Sequence, residues 1–434
     1  MAASTTSAIT LRTKVESAFG TSPGGTGWRD IRLTGETLEP NAAYTESAEI
    51  RSDGQIGAVV RTDAEGGGAI NGEFPYGEWD DWIKAVLLAT QWTPATIPTI
   101  TATITGAVAA TGGVPDKFTA ASGLDVFDPG EWVKVSGYTS GAAVLNEIYK
   151  VVEATATDLY VTGNPNFSAT GSTASITITQ LANVTNGKTN STYTIEREDT
   201  DDPDTEEFHL YKGAGVQSMA MEMPTTGMIT TTWNIISKIP SSPTSSTASG
   251  TSAKSTTDPI TAAQIFRFLE GDPETTNITS HTSLWDTAPF KVLNMTLNVT
   301  PSLRTRKAWG TVGPALAHGR GDFDITGTVR LYYNAVGGGA GADRDDYILF
   351  RKILNDTVSG MAVLMRDGSD NVYVVDMPRV KFTGGRRNAP AKSQDVILEM
   401  DFQAFQNAND ENPETGVTGT TIRFARGNHP AVGT

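Results

Sequence analysis

The sequence predicts a mainly β chain built from two tandem copies of one module, with a smaller β-domain inserted in the first copy. Three observations carry this expectation. Short β-branched runs alternate with turn residues along the 434 positions, 44 of them glycine, a composition of strands and turns. A strand, Asp-Asp and apolar-helix pattern stands at "AINGEFPYGEWDDWIKAVLL" (Ala69 to Leu88) and returns at "FDITGTVRLYYNAVGGGAGADRDDYILFRKIL" (Phe323 to Leu354). Between Thr93 and Leu181 the chain instead carries a run of short alternating strands of its own.

The length leaves room for two to four domains, and 19% charged with 8% aromatic residues suits a folded protein. A formal net charge of -16 argues against tight neutralisation of nucleic-acid phosphates. An acidic surface can still line a path along which a polyanion must not stick. With no cysteine, disulfides, thiolate metal sites and Cys nucleophiles are excluded. The start, "MAASTTSAITLRTKVESAFG", lacks an apolar core of signal-peptide length, and no apolar run reaches spanning length. The expectation is a chain made and folded in a cytoplasm, with no membrane anchor.

The first module is expected over 1–92 and 182–239, interrupted by the insertion 93–181. The insertion reads as a small antiparallel barrel or Ig-like sandwich, from "EWVKVSGY", "NEIYKVVEA", "TDLYVTG" and "ASITITQ" between Gly, Asn and Asp turns. Ser, Thr, Gly and Pro dominate "PSSPTSSTASGTSAKSTTDP" (Pro240 to Pro259), which places an exposed linker or loop over 240–284 and the second module over 285–434.

Each module opens with an extended arm, Tyr44 to Thr62 and Thr296 to Pro314. Glu49-Ile50-Arg51-Ser52 matches Ser302-Leu303-Arg304-Thr305 in pattern, and Ile70-Asn71-Gly72 matches Ile325-Thr326-Gly327. Glu49, Arg51, Asp53, Arg304 and Arg306 are therefore candidate contact residues of the arms. In the first helix Trp79, Trp82, Ile83, Val86 and Leu87 share one face, and in the second Tyr347, Phe350, Ile353 and Leu354 do so. Asp80-Asp81 and Asp345-Asp346 sit in the first turn of each, where carboxylates favour the positive end of the helix dipole.

Patterns that could carry chemistry have plainer readings. "EREDTDDPDTEE" (Glu196 to Glu207) lacks the spacing of a calcium loop and reads as a solvated acidic loop. "DGSDN" (Asp367 to Asn371) reads as a hairpin turn, and "GRGDF" (Gly319 to Phe323) as a turn before a strand. His209, His281, His318 and His429 have no metal-ligand spacing. Gly66-Gly67-Gly68 and Gly337-Gly338-Gly339 lack a phosphate-loop lysine and read as turns or mobile loops. No catalytic, cofactor or metal site is expected, so the chain is not read as an enzyme.

In its order of elements the sequence resembles the bacteriophage tail tube proteins, in the branch that fuses two tube modules. The resemblance rests on "RTKVESAFGTSPGGTGWRDIRLTGETL", "YTESAEIRSDGQIGAVVRTDAEGGGAINGEFPYGEWDDWIKAVL", "RKAWGTVGPALAHGRGDFDITGTV" and "MPRVKFTGG". It implies β-sandwich modules with one flanking helix each, whose strands join around a ring into a continuous barrel. It further implies self-association: a ring of three two-module chains with pseudo-six-fold symmetry, stacked head to tail, a six-chain ring being less favoured. Tail tip, tape measure and tail terminator proteins would be partners. Viral double-stranded DNA would pass the lumen without specific binding, in a virion tail assembled in the bacterial host cytoplasm. The inserted domain resembles the β-domains that decorate tail tubes, with adhesion to cell surfaces or sugars as one role and bulk as the other. The alternative is a host-recognition or carbohydrate-binding multidomain β-protein.

Overall fold

The computed structural model describes the chain except residues 1–8, 110–114, 140–141, 163–166, 200–206, 244, 251–254, 272–281, 284–291, 315, 333–349, 351, 389–393, 411 and 431–434. Alternating apolar and polar residues put most of the described chain into antiparallel strands. The first module orders them as Ile9–Val15, Tyr193–Asp199, Glu207–Met223, Thr230–Lys238, Val59–Glu73 and Glu39–Glu46. The second repeats the order with Ile265–Gly271, Val358–Arg366, Asn371–Asn388, Ile397–Ala404, Asp324–Tyr332 and Val292–Thr300.

The repeat extends to irregularities. Each long strand is bulged where it changes partners, between Val216 and Ser218 and between Phe382 and Gly384. Each neighbouring strand breaks register as well, between Tyr193 and Ile195 and between Ser359 and Met361. A bulge bends its strand and raises the local twist, which lets one strand serve two parts of a curled sheet.

Pairing also corrects the expected alignment of the copies. Thr45 faces Val60 in the first module, and Arg304 faces Gly319 in the second, with the same interval between the members of each equivalent pair. On that interval Arg304 corresponds to Thr45 rather than Arg51, and Gly327 to Gly68 rather than Gly72. The sequence match slipped by even numbers of residues, which leaves every side chain on its proper face and so goes unnoticed in an alternating pattern. A Cβ on Gly68 would lie 2.2 Å from the Thr37 carbonyl oxygen, and one on Gly327 2.1 Å from that of Thr296. The Gly66 to Gly68 run is thus mid-strand, where a neighbouring backbone approaches closely, and not a turn or mobile loop.

The helix Asp80–Val86 buries Trp82, Ile83, Ala85 and Val86, and Trp79 at its cap position is buried with them. Trp79, Trp82 and Trp233 stack with centroids 5.2 to 5.7 Å apart. Of the second helix, residues 350 and 352–354 are described; Phe350 and Ile353 pack on the core. Tyr347, Asp345-Asp346, Gly337 to Gly339 and His281 lie outside the described residues.

Two further expectations change. Of the linker or loop expected over 240–284, the described residues form a docked loop and not an exposed one: Ser246, Thr247 and Ala248 bind the buried Glu196 carboxylate, Ile260 is fully buried, and Ile265–Gly271 is already a strand of the second module. Glu196 and Glu198 are likewise strand residues held by Arg12, not members of a solvated loop. Polar chain can dock where a buried carboxylate offers acceptors to its amides and hydroxyls.

Residues Thr99–Val108, Asp116–Ala120, Trp132–Ser136, Ile148–Ala154, Asp158–Thr162 and Thr173–Gln180 close a separate small barrel around Phe118, Tyr149 and Leu159. It interrupts the first module in sequence yet packs on the second, where Trp132 and Ile148 meet Leu364, Val374 and Ala425. Trp132 Nε1 donates to Asp376 at 3.0 Å, and Lys150 Nζ lies 2.9 Å from Asp376 and 3.7 Å from Asp410. Burial works against the Lys150 ammonium, but the two carboxylates outweigh it and hold its pKa above the ordinary value.

Candidate functional site

The surface that stands out is where the modules join. Beyond its bulge, Glu207–Met223 takes Thr230–Lys238 on one side and Val292–Thr300 on the other, with Met219 opposite Val299 and Met223 opposite Met295. The two module sheets thereby fuse into one. Alternation sorts its faces. Met219, Met221, Met223, Leu297 and Val299 are buried with the tryptophans, whereas Ser218, Ala220, Glu222, Thr296, Asn298, Thr328 and Asp401 point to an open, polar face.

Two more contacts lock the joint. The Tyr373 hydroxyl, on the second module, donates to Asp80 Oδ1 at 2.6 Å and accepts the Gly77 amide at 2.9 Å, and Arg426 pairs with the same aspartate. The cap position is Trp79, which gives the helix no side-chain cap; the Asp80 carboxylate is used between modules. Burial raises the Tyr373 pKa well beyond the phenol range, so the hydroxyl stays a donor.

The second contact is the hairpin of Arg304–Arg306 and Leu316–Gly319, which leaves the second module and sits on the first. His318 Nε2 donates to the Gly213 carbonyl at 2.8 Å and the ring meets Phe19 edge-on. Asn190 donates to the His318 carbonyl, and Arg320 to that of Lys188. Lys307 binds Asp63 and Glu65. Burial lowers the His318 pKa, more than the Gly213 carbonyl restores it, which keeps the ring neutral.

A family model described as phage tail tube protein matches residues 6–404. The chain belongs to the phage tail tube protein family. No curated protein matches it. The tail tube protein is thus a structural component of a virion tail and not an enzyme, and the host-recognition alternative is not favoured.

In this tube protein Glu49, Arg51 and Asp53 lie at the exposed tip of the hairpin between Glu39–Glu46 and Val59–Glu73. Arg51 binds Asp53 at 2.7 Å and holds its carboxyl below the usual range. Arg304 and Arg306 lie in the other hairpin, so the five candidates form two separate groups. Tyr44, Val59, Leu303 and His318 stand at the hairpin bases and are absent from the candidates the sequence suggests; Leu303 and His318 are buried, Tyr44 and Val59 exposed. Their signal was available: they sit at equivalent places in the two arms once the register is right. Among the described residues no three His, Asp or Glu cluster as a metal site.

Proposed function

We propose that three copies of this tail tube protein close a ring of pseudo-six-fold symmetry, six modules alternating around it, and that rings stack head to tail into the tube. The observation that carries this reading is the internal joint. It uses one edge of each module, and the unused edges are its mirror in kind: the outer edge of Glu39–Glu46 corresponds to that of Val292–Thr300, and residues 384–386 correspond to 218–220. No described strand lies along either outer edge. A head-to-tail contact repeated by a rotation that divides a full turn closes into a ring, and closure removes the exposed edges.

The open polar face becomes the lumen. Glu73, Glu222, Asp324 and Asp401 stand on it among Thr, Asn and Ser, and its arginines Arg330 and Arg386 are both paired with Glu399, so DNA phosphates meet hydroxyls, neutralised guanidiniums and repelling carboxylates and pass without specific binding. Ile50 and Trp309 hold equivalent places at the two hairpin tips, and both are fully exposed; they suit contact with the next ring. Tail tip, tape measure and tail terminator proteins complete the assembly, in the host cytoplasm. Electron microscopy of concentrated protein, aged and seeded with tail tips, tests the reading. Hollow tubes with three-chain rings are expected; compact particles alone, or six chains per ring, would refute it.

A further inference from the structure

An open groove of about 660 Å³ on the second module is lined by Asn355, Asp356, Thr357, Val358, Arg379, Lys381 and Phe405. The strand pairings give its counterpart on the first module, because Ile195 with Tyr211 corresponds to Met361 with Met377. Counting from those pairs, Asp356 stands where Asn190 does, Arg379 where Gly213 does and Lys381 where Gly215 does. On the first module this place is occupied. His318 seats on Gly213 and Gly215, and Leu303 lies against Gly215.

The occupants have counterparts too. In the hairpin of the first module the register that equates Thr45 with Arg304 and Val60 with Gly319 equates Tyr44 with Leu303 and Val59 with His318. Leu303 and His318 are each 4% exposed, whereas Tyr44 is 63% and Val59 59% exposed. One hairpin is seated and its copy is not; one seat is filled and its copy is open.

We infer that the groove takes Tyr44 and Val59 of a second copy of this chain, with the free strand edges pairing alongside. The inference rests on the ring reading and gives it a register. Ala220 faces Asn298 inside the chain, and its equivalent between chains sets Arg386 opposite Glu39. Guanidinium and carboxylate then face each other across the joint. Gly213 and Gly215 leave space for an imidazole, while on the second module Lys381, held by Asp356 at 2.7 Å, presents a cation to a phenol ring, which Tyr44 supplies, and the Arg379 stem lies beside Val59. Arg379 already lies over Phe405 at 4.7 Å, so the groove wall is preformed. In the isolated chain Glu36 holds the Leu38 amide at 2.7 Å, and this side chain must release it as the edges pair.

The chain has no cysteine, which makes disulfide trapping clean. Ala220→Cys with Asn298→Cys should close within one chain and leave a monomer on a non-reducing gel. Arg386→Cys with Glu39→Cys should give covalent trimers from assembled protein and nothing larger. Tubes without that cross-link would overturn the register and leave the ring reading standing. A ladder extending past trimers would place the contact between rings and overturn the inference. Neither tubes nor cross-links, under seeding, would overturn both. As a second measurement, Tyr44→Lys with Val59→Lys sets like charge against Arg379 and Lys381 and should abolish tubes at an unchanged monomer melting temperature; tubes formed at the ordinary rate would count against the groove.

Discussion

Tyr373→Phe separates the module joint from everything else in the fold. The substitution keeps the ring, which packs 5.1 Å from Phe74 and 5.0 Å from Tyr76, and removes one oxygen. That oxygen donates to a carboxylate and accepts an amide. A hydrogen bond to a charged group contributes about 1.5–3 kcal/mol. Gly77 is half-buried, so its stranded amide costs near the low end of the range for such groups, about 1 kcal/mol. The expected loss is about 2.5–4 kcal/mol. With an m-value of about 3 kcal/mol/M in urea, the midpoint falls by about 1 M. Tryptophan fluorescence reads it, since Trp79, Trp82 and Trp233 lie beside the joint. Tyr332→Phe, on an exposed ring, serves as control and should stay within about 0.5 kcal/mol. A midpoint shift below about 0.3 M, or additivity of Tyr373→Phe with Asp80→Asn, would refute the argued coupling.

Three other outcomes are expected. Glu196→Gln should free residues 245–250 for limited proteolysis. Burial alone would raise the Glu196 pKa, but bonds from Ser246, Thr247 and Ala248 outweigh it and lower the value, so its stabilisation is present above the unfolded pKa of about 4.3 and lost as pH falls through the folded one. The gap between wild type and variant, measured by melting, should therefore close in acid; a gap constant down to pH 2 would contradict this. Lys150→Met leaves Asp376 and Asp410 buried beside an apolar chain and should cost about 3–5 kcal/mol, seen as earlier proteolytic release of the inserted barrel, with unchanged cleavage as the contrary result. Gly68→Ala and Gly327→Ala each push a methyl into a carbonyl oxygen, the first from a positive-φ backbone and the second also against Phe402, and each should destabilise by about 1–3 kcal/mol in denaturant melts; a neutral variant at either position would contradict the close approach there.

The sequence made some of this legible and hid the rest for physical reasons. The helix face of Trp79, Trp82 and Ile83 was readable because a helical period tolerates no slip. The strand copies were readable only to within an even shift, because alternation repeats every two residues. Hence Arg51 was matched to Arg304 by chemical likeness, although the pairing sets Thr45 there. The docking of Ser246 to Ala248 escaped notice because polar, low-complexity chain gives no hydrophobic signal, and its partner is a carboxylate far away in sequence. So did the seating of the inserted barrel on the second module, which depends on Lys150, Asp376 and Asp410 meeting in space.

What the duplication retained is itself informative. Features fixed by backbone geometry persist in both copies: the bulges after Val216 and Phe382, the close approaches at Gly68 and Gly327, and the left-handed turn positions Gly54 and Gly313. Side chains at the joints diverged, with Gly213 against Arg379, His318 against Val59 and Asn298 against Glu39. Two identical modules in a ring need one self-consistent contact. Two fused modules need two contacts that differ in chemistry, one within the chain and one between chains, so that neither surface substitutes for the other. In the ring proposed above, divergence at the seats on a backbone held constant keeps the contact within the chain distinct from the contact between chains.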